Sequence, residues 1–152
     1  MSRKKTILLT LSAMFISLQF YPLADNDDKR VTSVHFTRVY AVPENVQAIL
    51  KKSCYNCHSN STNYPWYAYV QPAGWFLASH IKEGKSELNL SEFGGYSPRR
   101  QLSKLKSMAG SIRDGSMPIS SYTMIHRNAR LREPEKKIML DWLNTTRQAL
   151  TK

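Results

Sequence analysis

The sequence contains few cysteines and no internal repetition. Only two of its 152 residues are cysteine, and no second Cys-x-x-Cys pair accompanies the one that they form. This absence weighs against a zinc site built from two such pairs. No repeated segment or low-complexity block occurs, and 41% of the residues are hydrophobic. The composition therefore indicates one compact domain and little else.

Acidic residues are absent from the first 24 positions, where the only charges are the three basic residues at 3–5. An apolar run without charge follows at 7–23. This order is typical of an export signal, so we predict that residues 1–24 are a signal peptide or a signal-anchor helix. The run has 17 residues, close to the lower limit for a bilayer span, so we expect an uncleaved inner-membrane anchor with the domain on the periplasmic side. Cleavage after Ala24 is the alternative, and it would leave a periplasmic or secreted protein.

Positive charge exceeds negative charge along the chain. Lys and Arg number 22 against 11 Asp and Glu, a formal net charge of +11, and the part after residue 24 keeps 19 against 11, or +8. Such a field favours anionic partners. We expect docking to an acidic redox protein, with plain solubility as the other explanation of the charge. Binding to nucleic acid would need a cytoplasmic location, which the N-terminus argues against.

Apolar residues recur at intervals of three and four in four stretches of residues 43–152, which we predict to form one all-α domain. Residues 25–42 are expected to be a linker, with an extended segment at 31–42 because that part is rich in Val, Phe and Tyr. The predicted helices, separated by long connections, are 42–52, 71–84, 97–115 and 133–150.

Local signals place the ends of these helices. We expect Gly84 to stop the second helix and Gly115 to stop the third, which Ser97 can cap and Pro98 can begin. The last helix begins near Pro134. Its expected buried residues are Ile138, Met139, Trp142, Leu143 and Ala149.

The segment CYNCH holds both cysteines, with a histidine directly after the second. Cysteines at this spacing can add to the two vinyl groups of one haem, and the adjacent histidine then lies under the iron as an axial ligand. We therefore predict covalent attachment of one haem c at Cys54 and Cys57, with His58 on the iron.

Three other chemistries could use the same residues. A dithiol redox site expects a strand before the motif, whereas the sequence before Cys54 has a helical pattern. A zinc site would combine both thiolates with two of the histidines His58, His80 and His126, but Cys57 and His58 are adjacent and would crowd a tetrahedral site. A structural disulfide would close so short a loop that it would stabilise little.

The opposite face of a haem iron needs a sixth ligand or an open position. Met117 stands before Pro118, outside the predicted helices and 59 residues after His58. A methionine held in such a loop suits a distal thioether, so Met117 is the predicted second metal ligand. His80 and His126 are its rivals.

Aromatic residues are dense just after the motif. Flat rings suit a porphyrin wall and also ordinary core packing, so we expect both roles, with Trp66 or Tyr67 in contact with the haem. A buried haem propionate needs a charged or hydrogen-bonding partner, for which Tyr122, His126 and Arg99 are candidates.

Four stretches resemble the haem-binding domain family, exported bacterial relatives of small c-type cytochromes. In chain order they are CYNCHSNSTNYPWY, PAGWFLASHIKEGKSELNLSEF, IRDGSMP and HRNARLREPEKKIMLDWL. The likeness runs from about Pro43 to Leu143 and keeps the family's order of blocks. It departs at Lys85, Phe93 and Arg132, where the family often has Arg, Trp and Ser.

The resemblance implies a cytochrome c-like helical domain around one covalently bound haem, attached at Cys54 and Cys57. It implies His58 as an axial ligand and Met117 as the distal one. The expected function is single-electron transfer outside the cytoplasm, with no enzymatic activity. A haem-based sensor or gas-binding module with an open distal site is the alternative, and a peroxidase is a third possibility.

Overall fold

The structure, a computed structural model, describes residues 2–22 and 25–151. Across these ranges the regular elements are helices, and the β pairing amounts to one isolated antiparallel bridge between Asp27 and Ser61. The prediction of an all-α protein is therefore confirmed. The alternative cleavage point, Ala24, lies outside the described residues.

The chain contains eight α-helices in the described ranges, four of them long and downstream of the N-terminal one. Their bounds are α1 Arg3–Leu18, α2 Phe36–Val39, α3 Glu44–Ser53, α4 Tyr55–His58, α5 Ala73–Glu87, α6 Pro98–Asp114, α7 Ser120–Ile125 and α8 Glu133–Leu150. Short 3₁₀ turns at Trp66–Tyr69, Phe93–Gly95 and Arg127–Ala129 lie between them.

The N-terminal apolar run forms a helix of 16 residues, α1, which buries none of its side chains. No helix in residues 2–22 or 25–151 has the length and apolar character needed to cross a bilayer. This differs from the predicted signal-anchor helix because α1 stops at Leu18, five residues before the apolar run ends. The Gln19 amide side chain then pairs with the Gln71 backbone, donating to its carbonyl at 3.1 Å and accepting from its N–H at 2.9 Å.

The segment predicted to be extended contains a single helical turn instead. In α2 the His35 ring accepts the Thr37 backbone N–H at 3.3 Å, which caps the turn. The Phe36 side chain is fully buried and meets the rings of Phe93 and Trp142 at centroid distances of 4.9 and 5.6 Å. Burial of the Phe36 ring therefore outweighs the preference of the neighbouring β-branched residues for an extended backbone.

The main core lies between α3, α6 and α8, as the hydrophobic periodicity predicts. Ser97 caps α6 by accepting the Arg100 N–H, and Gly115 ends it with a φ of 75°. Ala149 is exposed, contrary to the prediction, because the last turn of α8 extends beyond the packed region. The buried apolar residues on these three helices are Val46, Ile49, Leu50, Leu105, Met108, Ala109, Ile112, Met139 and Leu143.

A smaller apolar cluster holds α5 against the turn Trp66–Tyr69. Leu77 and Ile81 of α5 are buried with Ala68, and Tyr64 and Tyr67 pack against them. This contact places α5 beside the short helix α4, which carries the second cysteine and the histidine of the motif.

Candidate functional site

The Cys-x-x-Cys-His motif forms one tight turn at the end of α3. Cys54 interrupts the helix with φ −125° and ψ −44°, and its carbonyl accepts the His58 N–H at 2.9 Å. The α3 helix runs directly into the motif, as predicted, and α4 follows without a connecting loop. Cys54, Cys57 and His58 are thereby brought together on a single turn.

Gly84 brings α5 into close contact with this turn. A Cβ built on Gly84 would lie 2.8 Å from the Cys57 carbonyl oxygen, closer than real Cβ atoms approach. The prediction that Gly84 stops the second helix is wrong, since α5 continues to Glu87. The glycine is needed for the close approach of two backbones and not for a left-handed turn.

The His58 ring is fixed by two backbone carbonyls from the end of α5. Its Nδ1 lies 2.9 Å from the Gly84 oxygen and 3.0 Å from the Leu88 oxygen. Carbonyl oxygens only accept hydrogen bonds, so Nδ1 must carry the proton. In the neutral ring this leaves a lone pair on Nε2, which is the form that ligates a metal.

The two cysteines are free thiols with poorly ionised sulfurs. Burial, with the neighbouring Cys57 adding to it and Lys52 opposing it, raises the pKa of Cys54 to about 12. Burial also raises the pKa of Cys57. A dithiol redox site needs a lowered thiol pKa, so this environment disfavours that alternative. In the described parts of the chain the free thiols also give no support to a disulfide.

The zinc alternative has no assembled ligand set. Within residues 2–22 and 25–151, no three His, Cys, Asp or Glu side chains are arranged to hold a metal ion. The Nε2 atom of His126, one of the candidate zinc ligands, is instead within hydrogen-bond distance of the Tyr67 hydroxyl, at 2.6 Å. The motif's geometry therefore fits a single axial imidazole better than a tetrahedral site.

A hydrogen-bonded cluster of Asn56, Tyr67, Tyr122 and His126, here called the Tyr–His cluster, lies beside the motif. Asn56 donates from Nδ2 to the Tyr122 hydroxyl at 2.8 Å, and Tyr122 stacks on His126 with ring centroids 4.3 Å apart. The Tyr67 hydroxyl lies 2.6 Å from His126 Nε2. The cluster thus links the interior of the motif to the segment after Met117.

The same cluster is partly withdrawn from water. Burial raises the pKa of Tyr67 and of Tyr122, and the nearby Cys57 thiol raises both further. Burial lowers the pKa of His126, which favours the neutral ring. With Nε2 engaged by Tyr67, His126 is a weaker rival for the iron than the sequence alone indicates. Asn56 was not among the predicted site residues, because only tertiary contacts identify its role.

His80 differs from His126, because one nitrogen of its ring is not engaged by any described residue. Its Nε2 is buried and has no hydrogen-bond partner among the described residues, and the Phe76 ring meets it edge-on at 4.4 Å. A buried ring nitrogen without a partner is uncommon in a folded protein. His80 therefore remains a rival distal ligand on structural grounds.

Met117 lies in an open cleft of about 820 Å³, here called the Met117 cleft. Its N–H donates to the Ser111 carbonyl at 3.1 Å, which fixes the backbone, while the residue is 40% exposed. The residues of the Cys-x-x-Cys-His turn do not line this cleft. The lining consists of Gly115, Met117, Pro118, Ser120, Thr123, Met124, Arg127, Arg130, Leu131 and Lys136.

A second methionine, Met124, lines the same cleft and is 77% exposed. Sequence reasoning missed it, because a methionine within a short apolar stretch carries no signal that distinguishes a ligand from a core residue. Trp66, Tyr69 and Phe76 are likewise large and largely exposed.

The donor set and its surroundings fit a haem. Cys54 and Cys57 would hold the porphyrin, and the neutral tautomer of His58 with its proton on Nδ1 would offer the Nε2 lone pair to a metal. A family model described as "Haem-binding domain" matches residues 13–145. Searches of curated proteins and of solved structures found no match.

Proposed function

This chain belongs to the haem-binding domain family, and from that premise we propose that it is a c-type cytochrome domain that transfers single electrons outside the cytoplasm. Cys54 and Cys57 form the two thioether bonds of one haem c. The side chains of His58 and Met117 would ligate its iron.

The orientation of His58 carries this proposal. Two carbonyl acceptors at Nδ1 fix both the tautomer and the plane of the ring, and they raise the basicity of Nε2. A histidine that served only to fill space would not need this arrangement directly after a Cys-x-x-Cys pair. The free thiols, held neutral by burial, remain available for addition to vinyl groups.

A bound haem supplies a one-electron couple. The chain's own residues hold the imidazole so that it does not rotate when the charge of the site changes. Tyr67 and Tyr122, whose pKa values burial and the Cys57 thiol raise, would flank the Cys57 side of a bound haem. No protein nucleophile or acid–base pair is required, so we propose electron transfer without enzymatic turnover.

The partner and the location follow from charge and from the N-terminus. A net charge of +8 after residue 24, from 19 basic and 11 acidic residues, favours an acidic redox protein. The basic residues at 3–5 and the apolar run at 7–23 support export to the periplasmic side. The intact mass of the purified protein, together with its distribution between membrane and soluble fractions, decides between an anchored chain and cleavage after Ala24.

A gas-binding or sensor module is the second candidate, because one observation favours it. The Met117 cleft is not lined by the motif, and Met117 is partly exposed. If the Met117 thioether does not reach the iron, the distal position stays open to a small ligand.

The first experiment tests covalent attachment. The full chain is expressed with haem-maturation machinery, purified, unfolded and extracted with acidified organic solvent. We expect the pigment to stay with the polypeptide, and to be lost in the matched variant Cys54→Ala/Cys57→Ala. A colourless protein, or pigment that leaves on extraction, would refute the proposal. Carbon monoxide titration of the reduced protein then separates the two candidates, since only an open distal side binds it readily.

A further inference from the structure

The helix α7, which follows Met117, has little apolar packing to hold it in place. None of its side chains is buried, and Met124 and Ile125 are 77% and 65% exposed. Among the described elements it packs mainly against the turn Arg127–Ala129, its neighbour in the chain. Because burial contributes little, the position of α7 depends on the specific polar bonds that it makes to the rest of the domain.

One of these bonds joins α7 to the Cys-x-x-Cys-His turn. Asn56, which stands between the two cysteines, donates from Nδ2 to the Tyr122 hydroxyl at 2.8 Å. Its Oδ1 accepts the Asn63 N–H at 3.1 Å, and its backbone carbonyl accepts the Thr62 hydroxyl at 2.7 Å. Since a backbone N–H can only donate, Oδ1 must face Asn63 and Nδ2 must face Tyr122. The amide that contacts Tyr122 is therefore fixed in both orientation and position.

The Tyr122 ring is also fixed from its other side. It stacks on His126 with ring centroids 4.3 Å apart and an interplanar angle of 22°. The His126 Nε2 atom lies 2.6 Å from the Tyr67 hydroxyl, which belongs to the turn packed against α5. Tyr122 thus connects α7 to two parts of the site, through its hydroxyl to the motif and through its ring to Tyr67.

Met117 lies between two anchored points of the chain. Upstream, its N–H donates to the Ser111 carbonyl at 3.1 Å, which holds the segment to the end of α6. Downstream, the hydroxyl of Tyr122 holds the same segment to the motif. The first bond positions Met117 relative to α6, whereas the second positions it relative to the residues that would attach the haem.

We propose that Tyr122 is a positioning residue for the distal side, acting through Asn56: their hydrogen bond holds the segment that carries Met117 beside the motif. The inference rests on the proposed function, in which the Met117 thioether ligates the iron. Without the bond, the segment would move away from the motif more often. A small ligand that competes with the thioether should then bind more tightly, because the competing state is less populated.

The test compares the mature, haem-loaded full chain with its variants Tyr122→Phe and Asn56→Ala and with the double variant. The matched control is Tyr40→Phe, which removes a hydroxyl that donates to Gln101 at 2.6 Å and lies outside the motif. The readouts are the carbon monoxide affinity of the reduced protein, the sulfur–iron absorption band of the ferric protein and the urea midpoint of unfolding.

We expect Tyr122→Phe to raise the carbon monoxide affinity about two- to tenfold, the equivalent of one net hydrogen bond, and to weaken the sulfur–iron band. The double variant should match Asn56→Ala, because both changes remove the same bond. Tyr40→Phe should lower the urea midpoint while leaving the affinity and the band unaltered. A residue with a purely structural role would lower the urea midpoint without affecting carbon monoxide.

An unaltered carbon monoxide affinity and band in Tyr122→Phe would overturn the proposal. Additive effects in the double variant would also overturn it, since the two residues would then act separately. Where Tyr122→Phe takes up no haem, Asn56→Ala removes the bond from the other side and decides in the same way. A failure of the proposed function is distinguishable, because the unaltered chain would then carry no covalent haem or would lack the sulfur–iron band.

Discussion

Three single residues, Met117, Met124 and His80, are the candidates for the distal ligand in the proposed function. We predict that Met117→Ala abolishes the weak far-red absorption band of the ferric protein, which arises from a sulfur–iron bond, and that it increases carbon monoxide binding. Met124→Ala is the matched control, because Met124 lines the same cleft and is equally a thioether. His80→Ala should leave the band intact.

The other outcomes assign the ligand differently. Loss of the band in Met124→Ala alone would make the missed methionine the ligand. A ferric protein without the band, whose spectrum changes only in His80→Ala, would indicate two histidine ligands and use the buried Nε2 that lacks a partner. Either result would refute the assignment of Met117 while leaving covalent attachment intact.

Glu135 is the residue whose ionisation most directly connects the motif to the last helix. Hydrogen bonds from the Arg132 guanidinium, from Lys52 and from the Arg132 N–H lower its pKa from 4.5 to about 2. Lys52 stands two residues before Cys54 and contacts the Glu135 carboxylate at 2.6 Å. The carboxylate also accepts the Arg132 N–H at 2.9 Å. It therefore stabilises the start of α8 even though Arg132 replaces the serine of a capping box.

We predict that Glu135→Gln lowers the free energy of unfolding by about 1–2 kcal/mol at pH 7. Because the folded pKa lies below the unfolded one, this contribution is complete above pH 4.5 and is lost as the pH falls towards 2. Urea unfolding at several pH values should show the variant and the unaltered protein converging in that window. Glu83→Gln, which removes an exposed carboxylate of α5, should show no comparable difference, and parallel curves for Glu135→Gln would contradict the prediction.

At the scale of the elements, the contact between α4 and α5 orients the His58 imidazole. Gly84→Ala would place a methyl group 2.8 Å from the Cys57 carbonyl oxygen. We predict a loss of about 1–3 kcal/mol in the free energy of unfolding, together with a changed axial-ligand spectrum, because α5 must move away from the motif. Denaturant unfolding and visible spectroscopy measure the two effects.

Gly110→Ala is the matched control for that change. Gly110 also lies in a helix, α6, but a Cβ built there meets nothing within 4 Å. It should therefore raise stability by about 0.5–1 kcal/mol through helix propensity alone. Equal effects at both glycines would show that α5 and the motif can separate without cost.

The long helices could be predicted from the sequence because their signals are local. Ser97, Pro98 and Gly115 mark the ends of α6 within its own residues, and its apolar face repeats at helical intervals. Gly84 was misjudged because a glycine required for backbone contact looks the same in the sequence as one that ends a helix. The Tyr–His cluster could not be predicted from local signals either, because its members Asn56 and Tyr122 are 66 residues apart in the sequence.

The whole molecule carries enough positive charge to influence its encounters with redox reagents. The part after residue 24 has a net charge of +8, from 19 basic and 11 acidic residues. We predict that oxidation by ferricyanide, an anion, slows as ionic strength rises from 10 to 500 mM, because salt screens the attraction. Stopped-flow mixing of the reduced, haem-loaded protein measures the rate.

The counterpart reagent is hexaammineruthenium(III), a cation of similar size. Its reaction should accelerate or stay constant over the same range of salt, since screening removes a repulsion. The same dependence for both reagents would mean that the haem edge does not sense the net charge. Electron exchange would then be controlled by local contacts.

One backbone amide at the end of α5 can report on the hydrogen bonds that hold the His58 ring. The Leu88 amide hydrogen and the His58 ring share one acceptor, the Gly84 oxygen, at 2.8 and 2.9 Å. Fraying of this last turn would break the Leu88 N–H bond and would also withdraw the Leu88 oxygen, the second acceptor of His58 Nδ1 at 3.0 Å. The hydrogen–deuterium exchange rate of the Leu88 amide should therefore report how often the hydrogen bonds that hold the His58 ring open. This measurement needs no optical signal.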